Sequence, residues 1–293
     1  MSSPVRESLF MALQYILPAR LLAWLVYRAT RSRQPWFKDL LIRGFVRLYA
    51  VDTSEADAPV PAGYASFNAF FTRELRPGAR PPDADPQAVL SPADGTIQQI
   101  GVLRGDEILQ VKGQYYSSTE LLGGDAGRAS RYRDGCFVTI YLAPWNYHRV
   151  HMPLGGRVER MSHVPGELWS VNATTAARVP RLFARNERLV CHCSVPWGTF
   201  AVVLVGALNV GSVSTSWAGE VLPRPGSGSH WDYPPEVAAT RLGRGDTLGQ
   251  FNMGSTVVLL LPPGVAQWRP GLAVGDRVRV GESLGRLLAA PGP

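Results

Sequence analysis

A chain of 293 residues with 45% hydrophobic content can bury a full core, which excludes a disordered polypeptide and points to one large domain or a domain with an appendage. Its three cysteines, Cys136, Cys191 and Cys193, are too few and too closely spaced for a secreted disulfide framework. No clean signal peptide opens the chain, so a reducing compartment is expected. The net charge of +7 is concentrated, because residues 1–50 carry eight Arg or Lys against Glu7 and Asp39, a balance of +6 that leaves +1 for the remainder.

That basic pole suits an anionic surface, and hydrophobicity decides which kind. Leu9, Phe10, Leu13, Tyr15, Ile16 and Leu17, followed by Leu21, Leu22, Trp24, Leu25 and Val26, are too apolar for a phosphate-binding arm. A membrane surface is therefore expected, and nucleic acid is not. Pro18 and Arg20 interrupt the apolar stretch well short of the ~20 residues that a spanning helix requires. A further helix fits Pro35 to Ala50, with Phe37, Leu40, Leu41, Phe45, Leu48 and Tyr49 on one side and Lys38, Arg43 and Arg47 on another, the pattern of an interfacial amphipathic helix. Packing against the main domain is the alternative, and one face on protein with the other on lipid satisfies both.

Asp52 to Gly63 and the proline-rich Arg76 to Gln87 read as linkers around a short helix that Ser66 caps over Phe67, Phe70 and Phe71. From Val89 the chain turns β-rich, with strands expected over Gly95–Val102, Cys136–Leu142, Gly156–Val164, Phe200–Val205, Ala207–Ser214, Ser255–Leu261 and Asp276–Leu288. The expected fold is α+β: amphipathic helices over 1–50, then a mainly β domain over 51–293. Gly245-Asp246-Thr247-Leu248-Gly249 and Gly281-Glu282-Ser283-Leu284-Gly285 share one pattern, each a turn re-entering a strand, and such glycine pairs recur in barrel-sandwich folds. The lysine that a lipoyl or biotinyl carrier modifies is missing from both copies.

Three segments carry potential chemistry. Pro92-Ala93-Asp94-Gly95 is a turn opening a strand, and it offers a carboxylate. Tyr147-His148-Arg149-Val150-His151-Met152-Pro153 sets two histidines three apart, which share a face on a short helix or turn. A zinc site would need Cys191-His192-Cys193 as well, where strand alternation turns His192 away from the two cysteines, so no metal is expected. Gly254-Ser255-Thr256 precedes the apolar run 257–261 and reads, at its plainest, as a turn entering a buried strand. Together these supply a base, a carboxylate to orient it, and a hydroxyl beside a glycine carbonyl. Only Lys38 and Lys112 stand among the basic residues as lysines, and no phosphate-cradling loop adjoins either, which argues against a pyridoxal enzyme.

The order of these segments resembles the phosphatidylserine decarboxylase family, and so do Phe67-Asn68-Ala69-Phe70-Phe71, Val164-Pro165-Gly166-Glu167-Leu168-Trp169-Ser170-Val171-Asn172 and Leu182-Phe183-Ala184-Arg185-Asn186-Glu187-Arg188. Met253 stands where leucine is common, a change a flexible apolar side chain should absorb. The resemblance implies a self-processing decarboxylase that converts phosphatidylserine to phosphatidylethanolamine and carbon dioxide, acting peripherally at the cytoplasmic face of the cell membrane. It implies a covalent pyruvoyl cofactor made from Ser255 by cleavage after Gly254, giving a large chain 1–254 and a small chain 255–293; a homodimer is compatible with it. His151 would activate Ser255, Asp94 would hold His151 in its tautomer, and His148 would protonate carbon after decarboxylation. Trp169 to Asn172 and the aromatic stretch Trp217 to Pro235 are candidate walls of a lipid entrance. A serine hydrolase with an uncut chain, a pyruvoyl decarboxylase of a soluble amino acid, and a non-catalytic carrier-like module remain as alternatives.

Overall fold

The structure, a computed structural model, describes residue 14 and residues 19–111, 113–207, 212–222 and 228–288. Most of the first apolar stretch and Lys112 lie outside these residues. The architecture is α+β and mainly β, as expected.

The strand Ser255–Leu261 runs through the middle of a nine-stranded antiparallel sheet, between Cys136–Leu142 and Gly198–Gly206. Beyond Cys136–Leu142 follow Gly95–Val102 and Arg277–Val278, and beyond Gly198–Gly206 follow Arg188–Val195 and Gly156–Val164, the last pairing with both Ser229–Asp232 and Arg241–Leu242. Val257, Leu259 and Leu261 join Val138, Ile140, Val202 and Leu204 in a core on one face. Val258 and Leu260 join Phe137, Ala201 and Val203 in a core on the other. Successive side chains of a strand point to opposite faces, and here neither face meets water, so the run over 257–261 shows no polar alternation.

Two smaller sheets repeat one design. In one, Val89 and Leu90 pair with Gly285 and Ser283; in the other, Val150 and His151 pair with Gly249 and Thr247, so Leu284 and Leu248 are skipped as matching bulges. The copies bond to each other reciprocally, Leu90 N donating to the Pro153 carbonyl at 3.0 Å and His151 N to the Pro92 carbonyl at 2.8 Å. Likewise Gly281 N donates to the Ser91 carbonyl at 3.2 Å and Gly245 N to the Met152 carbonyl at 2.9 Å. The echoed glycine segments are thus equivalent turns into equivalent strands, with matching registers and reciprocal hydrogen bonds. Gly249 and Gly285 are obligatory, since a Cβ would lie 2.4 Å from the Ser214 carbonyl oxygen and 2.3 Å from that of Gln267. In this arrangement His151 occupies the place that Leu90 holds in the other copy.

Three helices cover one side: α1 (Ala19–Thr30), α2 (Pro35–Tyr49, with proline in its first turn) and α3 (Phe67–Phe71). Ser66 caps α3 by accepting from Ala69 N at 3.1 Å, as expected. Ile42 of α2 packs with Val51, Tyr64, Phe67, Phe70 and Phe71, and Leu41 and Phe45 join them, together with Met253. The expected apolar side of α2 is therefore divided, because Leu40 and Leu48 face outward. They lie with Trp36 of α2 and Leu21, Trp24 and Leu25 of α1, each half or more exposed, among exposed Arg20, Arg28, Arg43 and Arg47. Among the described residues no helix is long and apolar enough to cross a membrane.

Some expected elements are revised. Asp276–Leu288 is two strands, Arg277–Val278 and Ser283–Leu287, separated by Gly281 at φ +86°. Ala207–Ser214 falls partly outside the described residues, and its described end begins the strand Val213–Thr215. The linkers are tied down, with Ala56 bridging to Leu75 and Arg80 paired with Glu55.

Candidate active site

Ser255, Asp94 and the histidine segment meet at one rim of the central sheet. Tyr141 pairs with Thr96 on one side and Thr256 on the other, and the next row sets Leu142 against Ser255 and Ser255 against Gly206. The turn from Ala143 begins at this rim, closed by the Asn146 side chain accepting from Ala143 N at 2.8 Å, and leads into His148. Gly95 must be glycine to enter the row, since a Cβ there would lie 2.3 Å from the Tyr141 carbonyl oxygen. By alternation Ser255 shares the face of Val257 and Leu259, the face whose core includes Val150, Met152 and Phe251 from the sheet that carries His151.

Ser255 is buried, and among the described residues its Oγ has no hydrogen-bond partner. Such an orphan is costly and calls for an explanation, as does the Thr256 hydroxyl beside it. The segment before it is held at three points: Phe251 N donates to the His148 carbonyl at 3.0 Å, Asn68 Nδ2 to the Asn252 carbonyl at 2.9 Å, and Met253 packs against the aromatic cluster. Gly254, by contrast, has none of the described residues within 4 Å of where a Cβ would sit.

His151 Nδ1 lies 2.8 Å from the Gly245 carbonyl oxygen, and Nε2 lies 3.1 Å from the Tyr147 hydroxyl. A carbonyl can only accept, so the proton sits on Nδ1 and the Nε2 lone pair receives the tyrosine hydroxyl. Burial lowers the pKa of His151 and pushes that of Tyr147 up to about 12, which keeps both neutral. This corrects the expected role of Asp94, whose carboxylate does not touch His151. Instead Asp94 takes a two-pronged grip from Arg80, Nε to Oδ1 at 3.0 Å and Nη2 to Oδ2 at 2.7 Å, and accepts from Val280 N at 2.8 Å. A backbone carbonyl fixes the tautomer, and Asp94 acts on His151 only by its charge, which favours the protonated ring.

The two histidines do not share a face. Arg149–His151 is a strand, and His148 lies in the turn before it, so alternation separates them. His148 is fully buried, stacked on Phe71 with ring centroids 4.0 Å apart, and among the described residues neither ring nitrogen has a partner in hydrogen-bond geometry. Burial, and after it the charge of Arg73, pushes its pKa down to about 3, with the nearby carbonyls of Pro144 and Ala143 opposing weakly.

Arg80, Tyr147, Phe71 and the Gly245 carbonyl therefore belong to the site without having been given a role there from the sequence. The expected lipid walls divide. Trp169 lines a groove with Gln14, Arg20 and Leu21, beside the amino-terminal helices. Trp217 and Tyr233 instead pack edge to face at 6.2 Å against the main core, and residues 223–227 of that stretch lie outside the described residues.

A family model described as phosphatidylserine decarboxylase matches residues 67–286, and one described as PSD matches residues 9–50. A phosphatidylserine decarboxylase proenzyme of Methylococcus capsulatus is 49% identical over 278 residues, covering 94% of this chain and 96% of its own. Proteins of the same name from Alkalilimnicola ehrlichii and Azotobacter vinelandii are 51% and 46% identical, over 85% and 96% of this chain and 86% and 99% of their own.

Proposed function

The chain belongs to the phosphatidylserine decarboxylase family, and from that premise we propose that it is a self-processing, pyruvoyl-dependent enzyme that decarboxylates phosphatidylserine at an anionic membrane surface. The observation that carries this reading is the buried, unpartnered Oγ of Ser255, placed after Gly254 on a rim shared with Asp94 and the turn to His148.

Ser255 is 1% exposed in the uncut chain, a position suited to a first reaction within the chain itself. Attack on its own preceding carbonyl needs no entry path, and proximity supplies much of the barrier lowering. In this reading the Ser255 oxygen attacks the Gly254 carbonyl and the hydroxyl proton passes to a neutral base, for which His151 is suited by its Nδ1–H held on Gly245. The 254–255 amide becomes an ester on the Ser255 oxygen; loss of the residue 255 α-proton expels the Gly254 carboxylate as the carboxyl end of the large chain and leaves dehydroalanine, and water hydrolyses its imine form, releasing ammonia and leaving pyruvoyl at the head of the small chain. Once formed, that group supplies the carbonyl that condenses with the substrate amine and draws off the electrons left by departing carbon dioxide. Val257, on the face that Ser255 shares, and Val150 belong to one apolar core, and His148 is the residue proposed to pass a proton to carbon.

Residues 1–50 are the proposed membrane-facing segment and 51–293 the catalytic body. Exposed Leu21, Trp24, Leu25, Trp36 and Leu40 among exposed arginines support peripheral docking, which the expected cytoplasmic orientation would place on the inner face of the cell membrane.

Intact-mass measurement tests the reading. The mature protein should be two chains, 1–254 and 255–293, the second with a blocked amino end, and Ser255→Ala should remain one chain without decarboxylase activity. Borohydride added with substrate should tag the small chain; a tag on Lys112, or activity from a full-length chain, would refute the mechanism.

A further inference from the structure

Arg73 follows α3 and is 5% exposed, yet among the described residues its guanidinium has neither an ion pair nor a hydrogen bond, and Nε is among the buried atoms left without a partner. It lies over the Phe70 ring at 5.2 Å, and its charge reaches His148. Asp94 is near enough for its charge to favour the ionised guanidinium, but both carboxylate oxygens are already engaged by Arg80 and Val280 N. Asp57 is taken by the Tyr64 hydroxyl at 2.9 Å. A buried cation that carboxylates reach only at a distance, with none paired to it directly, is a costly arrangement that an arriving anion would relieve.

Resting on the function proposed above, we propose that Arg73 is the anchor for the phosphodiester of the phospholipid substrate. The substrate offers two anions, and the reaction discriminates between them. The carboxylate charge disappears as carbon dioxide forms, so a guanidinium bound to it would stabilise the ground state over the transition state and slow the step. The phosphodiester charge persists, and its oxygens match the planar fork of arginine. The position also couples binding to chemistry: a phosphodiester at Arg73 cancels the charge that opposes protonation of His148, the residue assigned the proton transfer.

The test uses the mature wild-type enzyme and Arg73→Met, with self-cleavage checked by mass as evidence of folding. For soluble short-chain phosphatidylserine, Arg73→Met should raise KM by roughly 10- to 100-fold, the loss of one charged hydrogen-bonded pair, while kcat changes far less. Arg73→Lys should recover part of the affinity. Short-chain phosphatidylmethanol, which has the phosphodiester but neither carboxylate nor amine, should compete with substrate in the wild type, and the matching diacylglycerol should be much weaker. If the methionine variant does not fold, that comparison decides on the wild type alone. Equal inhibition by the two lipids, or an unchanged KM with a collapsed kcat, would overturn the proposal and give Arg73 to His148 or to the new Gly254 carboxylate. An uncut, inactive wild type would instead refute the pyruvoyl reading, and calorimetric binding of phosphatidylmethanol, lost in Arg73→Met, would still report on the anchor.

Discussion

Arg80 bridges two carboxylates, holding Asp94 on one side and Glu55 at 2.9 Å on the other. Arg80→Ala leaves Asp94 buried with only the Val280 amide, and breaking a buried pair in this way should cost about 3 kcal/mol or more in urea denaturation. Arg80→Lys, which keeps the charge but loses the fork, should fall between. Histidine burial makes a second prediction. His148 is lowered to about 3 and His192 to about 4 from an ordinary 6.5, so between those values the unfolded chain binds more protons than the folded one. Stability should be fully present above pH 6.5 and fall as the pH drops through that window, and His148→Gln should flatten the slope of melting temperature against pH. An unchanged slope would mean that His148 is not held neutral. The sequence displayed Asp94, His148, His151 and Ser255 through their motifs, but not what holds them. Arg80 sits in a proline-rich segment that reads as a linker, and the group that fixes His151 is a backbone carbonyl, which no side-chain pattern announces.

The short helix α3 presses Phe71 against His148 and Phe67 and Phe70 against α2, so its cap affects the site through packing. Ser66→Ala should cost about 1 kcal/mol. Phe71→Ala, which empties the stack, should cost about 3 kcal/mol or more by denaturation. The outward faces of α1 and α2 act at the same scale: replacing Leu21, Trp24 and Leu25 by serine should weaken sedimentation with anionic vesicles while leaving activity on soluble short-chain substrate intact. Equal loss on both substrates would make α1 part of the catalytic body. Long apolar runs and the serine cap announced their elements correctly. The histidine pair did not, because spacing of three implies a shared face only in a helix, and pairing of Val150 and His151 with Gly249 and Thr247 makes the segment a strand. The break within Asp276–Leu288 follows from contact at a distance, since Gly281 turns where a Cβ would lie 2.8 Å from the Pro81 carbonyl oxygen.

Across the whole molecule, the strand that begins at Ser255 is flanked on both edges, with seven paired positions to Cys136–Leu142 and six to Gly198–Gly206. Residues 255–293, the proposed small chain, also supply Ala266–Trp268, Arg277–Val278 and Ser283–Leu287, and Val280 N reaches back to Asp94. Cutting before Ser255 should therefore release nothing while the protein stays folded. The proposed cut would change the kinetic order of folding. In the precursor the central strand finds its slot by a first-order search along one chain, whereas after the cut that search is second order between two molecules, one only 39 residues long. Uncut Ser255→Ala should regain its native signal after dilution from urea at a rate independent of protein concentration. The mature enzyme should recover slowly and incompletely, with a yield that rises with concentration or with added small chain, so that each molecule matures in one direction only.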